Sequence, residues 1–162
     1  MFAEKLIGLD IGTTSVKAAV IDTDGIIHAR FSESYPSSRK GADLVEQNPE
    51  DWINLLNRAL NSFIDHKVLG IGICSQVNTH VFLDSNGRPL FPAITWQDIR
   101  AKNEAQNLNS QVSDEEKIKW WGAPMPIDAS HALSRMSWMQ KMHSEIWHKT
   151  RKVMLPKDYC IL

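Results

Sequence analysis

Asp10 ends a short apolar run, and Gly12, Thr13, Thr14 and Ser15 follow it at once, with Lys17 two residues on. These residue types could do phosphate chemistry. A tight turn built from glycine and small hydroxyl residues aims backbone N–H groups and Oγ atoms at an anion. A carboxylate beside it can hold magnesium, usually through waters. Lys17 would add a point charge. A P-loop or a dinucleotide site needs its glycine turn to open into a helix. Here Val16, Ala18 and Val20 alternate with Lys17 and Ala19, so the turn opens into a second strand. Both of those sites are excluded. Two readings remain: an anion site with Asp10 as a metal-supporting acid, or a plain hairpin whose hydroxyls only satisfy the turn.

The elements that must position these residues follow from periodicity. Lys5 to Asp10, Ser15 to Asp22 and Ile26 to Ser34 read as a three-stranded antiparallel meander, with Gly25 closing the second turn. The stretch YPSSRKGADLV then reads as a polar surface loop. Asn48 caps a helix with Pro49 first, Glu50 and Asp51 at its positive end, and Trp52, Leu55, Leu56, Ala59, Leu60 and Phe63 at helical spacing. Val68 to Ser75 is a continuous apolar run and is expected to be a central strand covered on both faces, with Cys74 a buried thiol. Val81 to Asp84 is a strand with Asn86-Gly87 as its turn, and Ala93 to Thr95 a short return. Helices are expected at Asp98 to Leu108, from a capping box at Ser113 and Glu116 to Gly122, at Ala132 to Met142 and at Ser144 to Thr150. Val153 to Leu155 closes as a strand. The whole is an α/β unit: a mixed sheet with flanking helices, in ribonuclease-H-like order.

Composition bounds the class. The 162 residues carry a net charge of -1 with 43% hydrophobic residues, which suits one domain and leaves no footprint for nucleic acid. Two cysteines without metal spacing point to a reducing cytoplasm. No apolar run approaches the roughly 20 residues a membrane span needs. A two-metal nuclease would need several clustered carboxylates in the sheet; the strands offer mainly Asp10.

GLDIGTTSVKAAVID resembles the first phosphate motif of the actin, hexokinase and heat-shock ATPase superfamily. VEQNPEDWINLL, GICSQVNTHVFLDSNGRPLFPAITWQDIRA and VMLPKDY resemble the FGGY carbohydrate kinases, in that family's order and spacing. The resemblance covers essentially the whole chain. It implies ATP-dependent transfer of a phosphoryl group to a sugar or polyol hydroxyl, with ATP and Mg2+ as cofactors. By that resemblance Asp10 supports the metal or the γ-phosphate, and Gly12, Thr13, Thr14, Ser15 and Lys17 form the phosphate site. Gln76, Val77 and Asn78 would reach the sugar. Gln76 matches the family. Val77-Asn78 matches neither the Met-His of the xylulokinase-like pattern nor the Arg-Glu of glycerol kinase. Asn78 can donate and accept, as sugar hydroxyls require, with His80 a second polar group or a structural one. Trp96 would wall the sugar. Asp98 would accept from a hydroxyl or cap the following helix, and Arg100 would pair with it or with a neighbouring helix. Asp128, Ser130 and His131 lie where the family places further sugar contacts.

The resemblance also implies that the general-base aspartate and the ATP-binding domain lie beyond Leu162. Residues 1–162 are then a partial, truncated sugar-binding domain. The expectations are no turnover by this chain alone and homo-oligomer formation through uncovered apolar surface. The alternative is an inactive sugar-binding or regulatory module.

Overall fold

The computed structural model describes residues 4–162. Strands β1 (Lys5–Ile11) and β2 (Ser15–Asp22) form an antiparallel hairpin, extended by β3 (Ile27–Ser34). The second turn closes as expected: the Asp22 side chain accepts from the Asp24 and Ile26 N–H groups at 3.0 and 2.9 Å, and Gly25 takes φ +84°. The segment expected as a loop contains two short strands, β4 (Ser38–Lys40) and β5 (Leu44–Gln47). Its polar residues hid them: along β5, Val45 and Gln47 are buried while Leu44 and Glu46 are half-buried.

Helix α1 (Pro49–Ser62) starts where its cap predicts, with the Asn48 side chain accepting from Glu50 N. Trp52, Leu55, Leu56 and Ala59 face the sheet and meet Ile7, Leu9, Ile11, Val16, Ala18 and Val20. Alternation sends these six side chains to one face. Removing a ring such as Trp52 from this core costs about 3–5 kcal/mol.

Strand β6 (Val68–Ser75) pairs parallel to β1, giving the order β3-β2-β1-β6. The expectation of a central strand covered on both faces is corrected here. β6 lies at the edge among the described residues, Leu69 and Ile71 are 68% and 53% exposed, and Cys74 is exposed. Its apolar face finds no cover among the described residues. A shallow hollow of about 720 Å³ on that open side is lined by Gly8, Asp10, Lys17, Ala19, Gly72 and Cys74, among others.

The remainder packs around two smaller sheets. β7 (Val81–Leu83) is fully buried, and β8 (Ala93–Ile94) pairs with β5. Next come α2 (Lys102–Gln111), α3 (Asp114–Trp121), α4 (Ala132–Met142) and α5 (Ser144–Lys149). β9 (Lys152–Met154) pairs with β7, and α6 (Pro156–Cys160) follows. The capping box of α3 forms as predicted and Gly122 ends it in the left-handed region. α2 begins four residues later than expected because Asp98 is not its cap; Ala101 holds that position without a side-chain bond.

Candidate functional site

The β1–β2 turn is tight. Gly12 N donates to Ser15 O at 3.0 Å, and a Cβ on Gly12 would stand 3.2 Å from that same oxygen. The register sets Asp10 opposite Lys17, on the open face of the sheet. The turn is held from its inner side. Tyr35 donates its hydroxyl to Gly12 O and its N–H to Thr14 O. Gln47 Nε2 donates to Thr13 O at 2.8 Å, and Trp96 Nε1 donates to Thr13 Oγ1 at 3.0 Å. Burial pushes the Tyr35 phenol far above its ordinary range, so it remains a donor. Three successive carbonyls are thus occupied, while the N–H groups of Thr13 and Thr14 take no acceptor among the described residues. Free amides beside a half-buried carboxylate suit an anion with its counter-cation.

A magnesium ion fits this arrangement only in one form. No group of three or more His, Cys, Asp or Glu side chains gathers to hold a metal among the described residues. Asp10 would be the one protein carboxylate, with water and phosphate oxygens completing the shell, which is how magnesium commonly binds. The same observation leaves the two-metal nuclease without its ligands.

The loop after β6 is tied to this turn by a buried polar chain. Gln76 N donates to Ile11 O at 2.8 Å, and Gln76 Nε2 donates to Gln47 Oε1 at 2.7 Å. Gln76 Oε1 accepts from Thr79 Oγ1 at 3.1 Å, and that hydroxyl accepts from Trp96 N at 3.2 Å. Gln76, expected at the sugar, therefore has both ends of its amide engaged by the protein. It links the turn to the loop instead of facing a ligand.

Asp98 is corrected in the same way. It is fully buried, and its oxygens accept from Val45 N at 2.7 Å, Arg100 N at 3.0 Å, Arg100 Nε at 2.8 Å and Arg100 Nη2 at 2.6 Å. Burial opposes the Arg100 charge, but Asp98 and Glu46 outweigh it and hold the guanidinium above its ordinary value. Asp98 therefore braces β5 against the segment that carries Trp96, and neither oxygen is left for a hydroxyl.

The other expected sugar contacts meet only in part: Asn78 and His131 line one cavity, and Val77, Trp96 and Asp128 lie outside its lining. Val77 and Asn78 are exposed at the loop tip, and Asn78 adopts φ +50°, unusual for a residue with a side chain. Asn78 Nδ2 donates to Ser130 Oγ at 3.1 Å, and Ser130 donates from N and Oγ to Asp128 Oδ1 at 2.7 Å each. Asn78, His80 and His131 line a cavity of about 660 Å³ together with Met154, Leu155 and Asp158, among others. His131 also caps α4, its ring nitrogen accepting from Leu133 N at 3.3 Å. Trp96 is 45% exposed and reaches the phosphate turn through its indole N–H.

The sequence reading missed Tyr35, Gln47, Thr79 and Arg135. Arg135 had a legible signal: it stands three residues after Ala132 and four before Met139, on the inward face of α4.

The model of the N-terminal domain of the FGGY family of carbohydrate kinases matches residues 5–162. A xylulose kinase from Lactococcus lactis is 29% identical over 163 residues, covering 97% of this chain and 32% of that protein. A gluconokinase from Bacillus subtilis is 30% identical over 158 residues, covering 95% of this chain and 30% of its own length. The crystal structure of a xyloylose kinase from Brucella ovis superposes with a TM-score of 0.88 at 29% identity, over 98% of this chain and 34% of that one. The chain thus spans about a third of the length of the curated relatives it matches.

Proposed function

Because the chain belongs to the FGGY family of carbohydrate kinases, we propose that it forms the sugar-side part of an ATP-dependent kinase. The reaction would be transfer of the γ-phosphate to a sugar or polyol hydroxyl. One observation carries this reading. The turn with open amides is joined by the Trp96–Thr13 bond and the Gln47–Gln76–Thr79 chain to the loop whose Asn78 faces a cavity.

In that arrangement Thr13 and Thr14 N–H groups receive the phosphoryl oxygens, with Ser15 and Lys17 beside them. Asp10 holds magnesium through water; the metal, when bound, offsets charge on the phosphates. Asn78, Val77, Asp128 and His131 surround the sugar, and Trp96 walls the space between sugar and phosphate. Catalysis is then mostly positioning and charge stabilisation, as phosphoryl transfer requires. Asp10 belongs to the phosphate side and is not assigned as the base. Residues 1–162 are assigned to the sugar-binding domain, the nucleotide domain to another part of the protein, and the whole to the cytoplasm. No helix among the described residues is long and apolar enough to cross a membrane. The open sheet face is assigned to self-association.

The test is a binding titration by calorimetry with D-xylulose, D-gluconate and glycerol, alongside a coupled assay for ATP consumption. Saturable binding of one sugar with no turnover by the 162 residues is expected. Binding of none refutes the sugar pocket, and turnover above a heat-killed control refutes the division of labour.

A further inference from the structure

Arg135 is a fully buried cation with no carboxylate partner among the described residues; the carboxylate of Asp98 is taken by Arg100. Its guanidinium instead gathers neutral acceptors from two segments, 78–80 and 94–98. Nη1 lies within hydrogen-bond reach of Asn78 O, of Ile94 O at 2.8 Å and of His80 Nδ1 at 2.9 Å, its two hydrogens shared among the three. Nη2 donates to Thr95 O and, at 3.4 Å, to Asp98 O. An arginine has no lone pair to offer. The contact is favourable only with His80 Nδ1 as the acceptor, which places the imidazole proton on Nε2.

We infer that Arg135 locks His80 in the Nε2–H form, and that His80 is thereby a neutral hydrogen-bond donor to a substrate oxygen in the Asn78 cavity. This rests on reading that cavity as the sugar site. His80 lines the cavity, and its Nε2 has no protein partner among the described residues. Burial and the neighbouring Arg135 charge both oppose protonation, which keeps the ring neutral. The same guanidinium holds Asn78 O and so fixes the left-handed residue that offers the adjacent polar group. With Asn78 Nδ2 engaged by Ser130, the Asn78 amide oxygen is left as an acceptor next to the His80 donor. A donor and an acceptor side by side suit a hydroxyl, or a hydroxyl next to a carbonyl, on a polyhydroxylated carbon chain. Arg135 acts here as a positioning residue.

Two measurements decide it. Nitrogen-15 NMR of the ring at neutral pH should show His80 as the Nε2–H tautomer, and Arg135→Met should collapse it toward a mixture. A His80 signal already in the Nδ1–H form overturns the inference. D-xylulose, D-gluconate and glycerol are then titrated into the unmutated protein and two variants. His80→Ala should weaken the sugar that binds by about tenfold, the scale of one neutral hydrogen bond. His80→Gln, which can accept from Arg135 and donate to the cavity, should restore most of it. Equal affinity for the unmutated protein and His80→Ala overturns the inference while leaving the sugar site standing. Failure of all three compounds to bind the unmutated protein removes the sugar site and the inference with it.

Discussion

Replacing Asp98 with alanine should destabilise the fold sharply while leaving ligand affinity alone. The carboxylate has no solvent exposure and accepts four hydrogen bonds. Its loss leaves the buried Val45 N–H unpaired, at about 1–3 kcal/mol. It also leaves Arg100, whose side chain is 5% exposed, with Glu46 as its remaining carboxylate. Breaking a buried pair from one side costs about 3–5 kcal/mol. The two losses overlap, so about 4 kcal/mol is expected in total, or a Tm drop of roughly 8–16 °C for a chain this long. Thermal melts by circular dichroism read the first quantity. Calorimetric titration below both transitions reads the second. A Tm change under about 3 °C, or an intact fold with lost sugar affinity, would refute the bracing role and return Asp98 to the pocket. In a double-mutant cycle, adding Arg100→Met should recover part of the loss, since the stranded charge is then gone.

Burial pushes the His80 imidazole down to about 3, with Arg135 and His131 as the opposing charges. A depressed folded-state value means that stability is complete above the unfolded value near 6.5 and falls as pH drops from there toward 3. His80→Gln should therefore lose about 2 kcal/mol less than the unmutated protein between pH 6.5 and 5 in urea titrations; parallel curves would contradict this. Trp96→Phe deletes the donor to Thr13 Oγ1 and trims a ring that is 45% exposed, and should shift stability by less than about 1 kcal/mol. It should nonetheless weaken phosphate binding at the turn, measured by titration with inorganic phosphate and magnesium; unchanged affinity would separate Trp96 from the turn. The uncovered face around Leu69 and Ile71 should drive concentration-dependent association in sedimentation runs, relieved by Leu69→Lys with Ile71→Lys; a monomer at all concentrations would count against it.

Local signals carried far in this chain. The Asn48 cap, the Ser113–Glu116 box and the alternation of Val16, Ala18 and Val20 each name their element from a few adjacent residues. The motif resemblance singled out the turn and the loop on which the proposed sites rest. What stayed hidden depends on distant partners. Asp98 reads as a cap because a helical pattern follows it in sequence, yet its bonds run to Val45, Arg100 and, through Arg100, to Glu46. Gln47 looks like a polar lead-in to α1, but its amide reaches Thr13 and Gln76 across two other segments. β6 is apolar enough to be covered, and what would cover it does not lie among the described residues, so burial inferred from hydropathy alone overshot at Cys74.

The central claim is that the turn from Gly12 to Ser15 presents its amides to a phosphoryl group beside Asp10. The direct measurement is the amide NMR spectrum of the protein as inorganic phosphate is added with magnesium. The account predicts saturable downfield shifts at Thr13 and Thr14, weakened by Asp10→Asn and by omitting magnesium. Shifts confined to surface lysines, with Thr13 and Thr14 unmoved, would contradict it.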